Sequence, residues 1–156
     1  MSLRQDPEEI LVAERDFDSV FSYTAGTIRS RFLTEIRDNK RIVGTKCSRC
    51  NMVWVPARST CVRCFESLSD FVEVGDTGDV VSFSVVHRSQ PFYPAKPPFA
   101  YGVIKLEGAD SALVHLIRGV EPENIKAGMK VKAVFKEERI GSILDIEYFE
   151  PLDGSK

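Results

Sequence analysis

All four cysteines of the chain fall in two C-x-x-C pairs, Cys47-Ser48-Arg49-Cys50 and Cys61-Val62-Arg63-Cys64, separated by ten residues. A C-x-x-C turn directs two sulfurs to one side of a tight knuckle. Two knuckles facing each other place four thiolates about one tetrahedral point, the closed geometry of a structural zinc site. The stretch from Asn51 to Thr60 is long enough for a short strand out of one knuckle and a loop to the other, the layout of a zinc ribbon. Disulfides are a rival use of the four cysteines, but no signal-peptide pattern accompanies them. A redox C-x-x-C comes singly beside a βαβ pattern. Iron suits the same sulfurs, so recombinant material can carry iron in place of the one structural zinc ion. A shell filled by Cys47, Cys50, Cys61 and Cys64 leaves no position for water or substrate. The metal is therefore expected to fold the chain and not to catalyse.

Little else in the sequence has the spacing of a catalytic group. There is no G-x-G-x-x-G, P-loop or H-E-x-x-H motif, and with the cysteines committed to metal no nucleophile stands beside a base. His87 and His115 fall at or within strand patterns, where a histidine is usually structural, and Glu137-Glu138 sits in a charged turn. The sequence offers no positive reason to expect an enzyme. Charge is more informative. The chain has a net charge of −2, yet Asn39 to Phe65 carries Lys40, Arg41, Lys46, Arg49, Arg58 and Arg63 with no acidic residue. That stretch is +6 and the remainder −8. Such a basic lobe is either a solvated surface offsetting thiolate charge or a landing site for a phosphate or an acidic surface.

The elements that must position these residues follow from periodicity. At 156 residues, 43% hydrophobic and 28% charged, the chain has the composition of one ordinary globular domain or two small ones. No apolar run reaches transmembrane length, so no membrane association and a cytoplasmic location are expected. Residues 1–15 read as a mobile lead-in. Over residues 16–39, Phe17, Val20, Phe21, Ala25, Ile28, Phe32, Leu33 and Ile36 recur at steps of three and four, which predicts helix. Gly26 predicts a break, with Thr24 or Thr27 able to cap a second, longer helix from about Thr27 to Asp38, and Asn39 a stop. Residues 40–69 form the ribbon, with strands over Arg41 to Lys46 and Met52 to Val55. Met52 and Trp54 should face one way and Val53 and Val55 the other.

From Asp70 the period becomes that of strands, and residues 70–156 read as one barrel. Asp70 to Val74 is a lead-in strand. Val80 to His87 follows, with Val81, Phe83 and Val85 on one face, then Phe99 to Leu106 and Ala112 to Ile117. Pro122 and Gly128 bracket one or two helical turns. Met129 to Phe135 alternates, and Leu144, Ile146 and Tyr148 form a last inward face. Five main strands with a short helix between the third and fourth is the order of an OB-fold, a partly open Greek-key barrel; an SH3-like barrel or a sandwich has similar strand counts. The expected fold is mainly β with N-terminal helices, a zinc ribbon and then a five-stranded OB-fold barrel. OB-folds commonly bind single-stranded nucleic acid, and Phe99, Tyr101, Phe92 and Tyr93 are placed to stack bases, which makes a single-stranded nucleic-acid-binding OB-fold protein the alternative function. The acidity of the barrel opposes it.

The order of parts resembles the acyl-CoA-associated OB-fold family, with a rubredoxin-like zinc ribbon, long known as a domain of unknown function that accompanies thiolases. The stretches that carry this are Arg31-Phe32-Leu33, Ile42-Val43-Gly44-Thr45-Lys46-Cys47 and the two knuckles with Val55-Pro56-Ala57-Arg58 between them. Gly78-Asp79-Val80-Val81-Ser82-Phe83 and Gly128-Met129-Lys130-Val131 complete the set, which spans the chain from about Phe17 onward. Asn51 and Phe65 stand where a glycine often follows each knuckle. The resemblance implies a non-catalytic accessory subunit that docks on a thiolase-like or related condensing enzyme and binds acyl-CoA. The surfaces it would use are the basic ribbon (Lys46, Arg49, Arg58, Arg63) and the proline-rich loop (Arg88, Phe92, Tyr93, Lys96), since arginine suits phosphate and aromatic faces suit adenine.

Overall fold

Steps of three and four between Ile28, Phe32, Leu33 and Ile36 produce the helix the periodicity predicts. In the computed structural model, which describes residues 22–91 and 93–152, α1 runs Gly26–Asn39 with Phe32 and Ile36 buried. The expected lead-in, residues 16–21 of the helical segment, and Phe92 lie outside the described residues. Residues 22–25 are not helical. The Thr24 hydroxyl accepts the Gly26 N–H at 3.2 Å just ahead of the helix, but the N-cap position is Ala25, and neither Thr24 nor Thr27 caps it. At the other end Lys40, not Asn39, takes the left-handed turn (φ 51) and closes onto the Glu35 carbonyl.

Two sheets follow. The small one has the order β2-β1-β3, with β1 at Ile42–Lys46, β2 at Val53–Trp54 and β3 at Asp70–Val74. Gly44 lets β2 lie close to β1, for a Cβ there would stand 2.9 Å from the Trp54 carbonyl oxygen. The strand β3, grouped with the barrel by its period, instead pairs antiparallel with β1 over five residues, Ile42↔Val74 to Lys46↔Asp70. Helix α1 packs mainly against β1 and reaches β3 through Arg31, whose guanidinium lies 4.3 Å from the centre of the Phe71 ring.

The second sheet is a closed barrel in the order β4-β5-β6-β8-β7. Its strands are β4 (Thr77–Val86), β5 (Phe99–Leu106), β6 (Leu113–Ile117), β7 (Lys130–Phe135) and β8 (Ile146–Pro151). One 3₁₀ turn, Pro122–Asn124, lies between β6 and β7. Strand β4 closes the barrel by pairing β7 with Thr77 to Asp79 and β5 along its length, with a bulge between Val80 and Ser82. That bulge displaces Val81 outward, where it is 52% exposed, while Val80 is fully buried.

The last inward face is also shifted from expectation. Leu144 lies in a 3₁₀ turn, Ile143–Asp145, and is 48% exposed; Tyr148 is half-buried and Phe149 fully buried. The turn sets a new phase, so alternation counted from Leu144 does not carry into β8.

Helix, small sheet and barrel share one core. Phe32 and Ile36 of α1 pack with Ile42 and Val55 beside the small sheet and with Val80, Ile104, Val131 and Phe149 of the barrel. The knuckles have a separate cluster, in which Cys47, Cys61, Trp54 and Leu68 pack with Met52, Cys50 and Cys64. Met52 and Trp54 thus face the sulfurs while Val53 and Val55 face the main core, as the alternation predicts.

Candidate metal centre

The two knuckles repeat one local geometry. In the first, the Asn51 N–H donates to the Cys47 carbonyl and the Cys47 N–H to the Met52 carbonyl, both at 2.9 Å. In the second, Phe65 N–H donates to Cys61 O and Cys61 N–H to Glu66 O, again at 2.9 Å. Each closure needs a left-handed residue after the second cysteine, and Asn51 (φ 58) and Phe65 (φ 61) supply it.

Facing each other, the knuckles bring all four sulfurs within 4.8 Å of one another. Cys47 Sγ lies 3.5 Å from Cys64 Sγ, Cys50 Sγ 3.6 Å from Cys61 Sγ, and Cys64 Sγ 4.0 Å from Cys50 Sγ. A tetrahedral ion with metal–sulfur bonds of about 2.3 Å spaces its sulfurs by roughly 3.8 Å. A disulfide needs about 2.05 Å. The spacing fits one ion held by four thiolates.

Such crowded thiols cannot ionise alike. The backbone N–H of Cys50 holds Cys47 below the ordinary thiol range. Burial raises Cys61, but the N–H groups of Cys64 and Arg63 outweigh it and bring it down to about 6. Cys64 gains from the Glu66 backbone, yet burial and its neighbouring sulfurs push it up to about 12. A bound cation removes this conflict, because it favours the thiolate at every position.

The lobe is tied to the barrel by side chains that sequence reasoning missed. Asp110 and Ser111, in the turn between β5 and β6, accept the Val53 and Val55 N–H groups at 2.8 and 2.7 Å. Their only sequence signal was turn chemistry, which does not name a partner.

The candidate binding residues occupy different places. Arg49 and Arg63 come together, lining an open hollow of about 580 Å³ with Cys50 and Cys64. Lys46 is exposed at the end of β1. Arg58 stacks 5.2 Å from the centre of Trp54 and lines another hollow with Arg29 and Ser59 at the start of α1. Arg88, Tyr93 and Lys96 lie in the loop between β4 and β5. Lys96 borders a groove of about 350 Å³ with Ile117, Arg118 and Glu121. Tyr93 meets Phe99 edge-on at 5.6 Å, and Phe99 meets Tyr101 likewise at 5.4 Å. Phe99 is only 5% exposed, so it offers no free face for stacking a base. Arg29 and Arg118 went unnoticed because nothing in their local sequence sets them apart from other surface cations.

A four-thiol lobe set on an OB-fold-like barrel defines the class of protein. Residues 71–136 match the family model described as ChsH2, C-terminal OB-fold domain. A "DUF35 domain-containing scaffold protein" of Methanocaldococcus jannaschii is 27% identical over 123 residues, covering 76% of this chain and 86% of the relative. A "probable enoyl-CoA hydratase alpha subunit" of Thermomonospora curvata is 30% identical over 101 residues, covering 64% of this chain but 31% of that longer protein. Among solved structures, the "Ltp2-ChsH2(DUF35) aldolase" contains a chain that superposes with a TM-score of 0.61 at 24% identity, covering 83% of this chain and 98% of that one. That likeness shows the fold. Together the matches bear out the resemblance to the acyl-CoA-associated OB-fold family that the sequence carries. Among the described residues no helix is long and apolar enough to cross a membrane.

Proposed function

We propose that this chain is a non-catalytic accessory protein that docks on a thiolase-like condensing enzyme and engages acyl-CoA, with its knuckles formed into a zinc ribbon around one structural zinc ion. The observation that carries the reading is the four-thiol cluster joined to an OB-fold-like barrel in a chain that spans 86% of a relative named a scaffold protein. Cys47, Cys50, Cys61 and Cys64 hold the ion, whose contribution is to stabilise the lobe. Their four sulfurs complete a tetrahedral shell, which suits a structural role. Arg49 and Arg63, side by side at the mouth of the cluster, present charge to the enzyme or to a CoA phosphate. Lys96 and Arg118, at the groove beside the proline-rich loop, are a second pair of cations for the nucleotide end. Co-purification with a thiolase-type enzyme from the same genome, and calorimetry with CoA against dephospho-CoA, test the two halves of the reading. Recovery of the enzyme and a phosphate-dependent heat are expected; absence of both ends it.

A further inference from the structure

Phe65 is held in a left-handed conformation (φ 61) and is 81% exposed. The conformation is required, because its N–H closes the second knuckle onto the Cys61 carbonyl. The side chain is not required by that closure. Asn51 fills the matching position of the first knuckle with a residue that tolerates a positive φ, and a glycine would do so at no steric cost. A bulky aromatic there strains the backbone, and an exposed ring recovers nothing by burial. Val62 of the same knuckle is 53% exposed, so the second knuckle carries two exposed apolar side chains. Arg63 of this knuckle and Arg49 of the other line one hollow, and they have no carboxylate partner among the described residues, nor do Lys46 and Arg58. Glu66 is the one acidic residue adjoining the knuckle in sequence.

We infer that Phe65 is the anchor of a protein-docking surface, entering with Val62 an apolar pocket on the partner whose rim carries carboxylates facing Arg49 and Arg63. This rests on the accessory-protein reading and adds to it the anchor residue and the chemistry of the pocket. An aromatic flanked by arginines is the composition that concentrates binding energy at interfaces. The unpaired cations supply the complement to an acidic rim and set its orientation. The strained backbone is then compensated in the complex, where the ring is buried.

The test uses the full metal-loaded chain and a purified thiolase-type condensing enzyme from the same genome, with affinity read by biolayer interferometry and stability by thermal melting. Phe65→Gly is expected to melt about 2–4 °C higher, because it relieves the positive φ, and to bind at least about tenfold more weakly. Phe65→Ala should lose the affinity without the gain in melting temperature. Arg63→Glu should weaken binding and flatten its salt dependence. Wild type that binds while Phe65→Gly binds equally overturns the anchor and leaves the accessory reading standing. A Phe65→Gly protein that melts lower also overturns the anchor, because the ring would then be packing within its own chain. Wild type that does not bind at all removes both.

Discussion

Ser111 satisfies both backbone groups of Val55: its hydroxyl accepts the Val55 N–H at 2.7 Å and donates to the Val55 carbonyl at 2.9 Å. Thr45 does the same for Arg58, accepting its N–H at 3.1 Å and donating to its carbonyl at 2.9 Å. The chain between the two, Val55 to Arg58, runs past the end of β2, and these hydroxyls stand in for the missing strand partner. Val55 is 1% exposed, so its polar groups have no access to water. Ser111→Ala should therefore cost about 2 kcal/mol, the penalty for orphaning a buried donor and acceptor. The corresponding fall in melting temperature is about 4–8 °C. Thermal melting by circular dichroism checks it, and a fall under about 1 °C would show that water replaces the hydroxyl.

The metal cluster was legible in the sequence because C-x-x-C spacing encodes a local geometry, and local geometry survives whatever the rest of the chain does. Partner choice does not have that property. The period of Asp70 to Val74 tells which side chains share a face, but pairing with β1 depends on where α1 and the turn at Gly75 leave the strand. The phase of β8 was lost for a similar reason. Ser142 and Asp145 form a reciprocal cap that makes Ile143–Asp145 a 3₁₀ turn, and the inward role passes to Ile146 and Phe149. The candidate cations were readable as a charge imbalance, but a linear count cannot show that Arg49 joins Arg63 while Arg58 turns to Trp54.

Metal removal should separate the two clusters of apolar residues. Trp54 and Leu68 pack on the sulfurs, whereas α1, most of β1 and the barrel share the other core. Chelation under denaturant-free conditions, or Cys64→Ser, should abolish amide protection in the two knuckles, at Cys47, Asn51, Cys61 and Phe65, while Val55, held by Ser111 in the other core, and strands β4 to β8 stay protected. Hydrogen exchange with mass spectrometry reads this directly, and native mass spectrometry should show one ion per chain before treatment. Unchanged protection of both knuckles after the metal is gone would mean that packing alone holds them.

Asp145 controls the turn that carries the chain from β7 into β8. Its carboxylate accepts the N–H groups of Ile140 at 3.2 Å, Gly141 at 2.7 Å and Ser142 at 3.0 Å, and the residue is 2% exposed. Burial raises the carboxyl, but the three N–H groups and the charge of Lys136 outweigh it and leave it below the ordinary aspartate range. A lowered folded value means that the stabilisation is present at neutral pH and is lost as pH falls below about 4, the unfolded value. Asp145→Asn should cost about 1–3 kcal/mol at pH 7. Urea unfolding at pH 7 and pH 3 should show the gap between the two proteins narrowing in acid; a constant gap would assign the loss to shape and not to charge.

His115 sets the opposite kind of pH limit, nearer neutrality. It points into the barrel from β6 with 4% exposure and lies edge-on to Phe149, ring centres 5.7 Å apart. The Leu116 N–H donates to its Nδ1 at 2.9 Å, so that nitrogen must keep a lone pair and the proton sits on Nε2, 3.4 Å from the Ile143 carbonyl. Burial is the main cause that depresses its pKa below the ordinary histidine value, with repulsion from Lys136 acting in the same direction. The folded state thus binds fewer protons than the unfolded chain just below pH 6.5, and stability must rise with pH through that window. The contribution of His115 is fully present above about pH 6.5 and declines as the solution is acidified toward the folded value. His115→Phe, which keeps the edge contact and removes the titration, should flatten this part of the stability profile between about pH 6.5 and 5. Nitrogen NMR of the imidazole gives the direct reading: an Nε2–H tautomer that protonates only below pH 6.5. A ring that titrates at or above that pH, or carries its proton on Nδ1, would contradict the burial and the Leu116 hydrogen bond together.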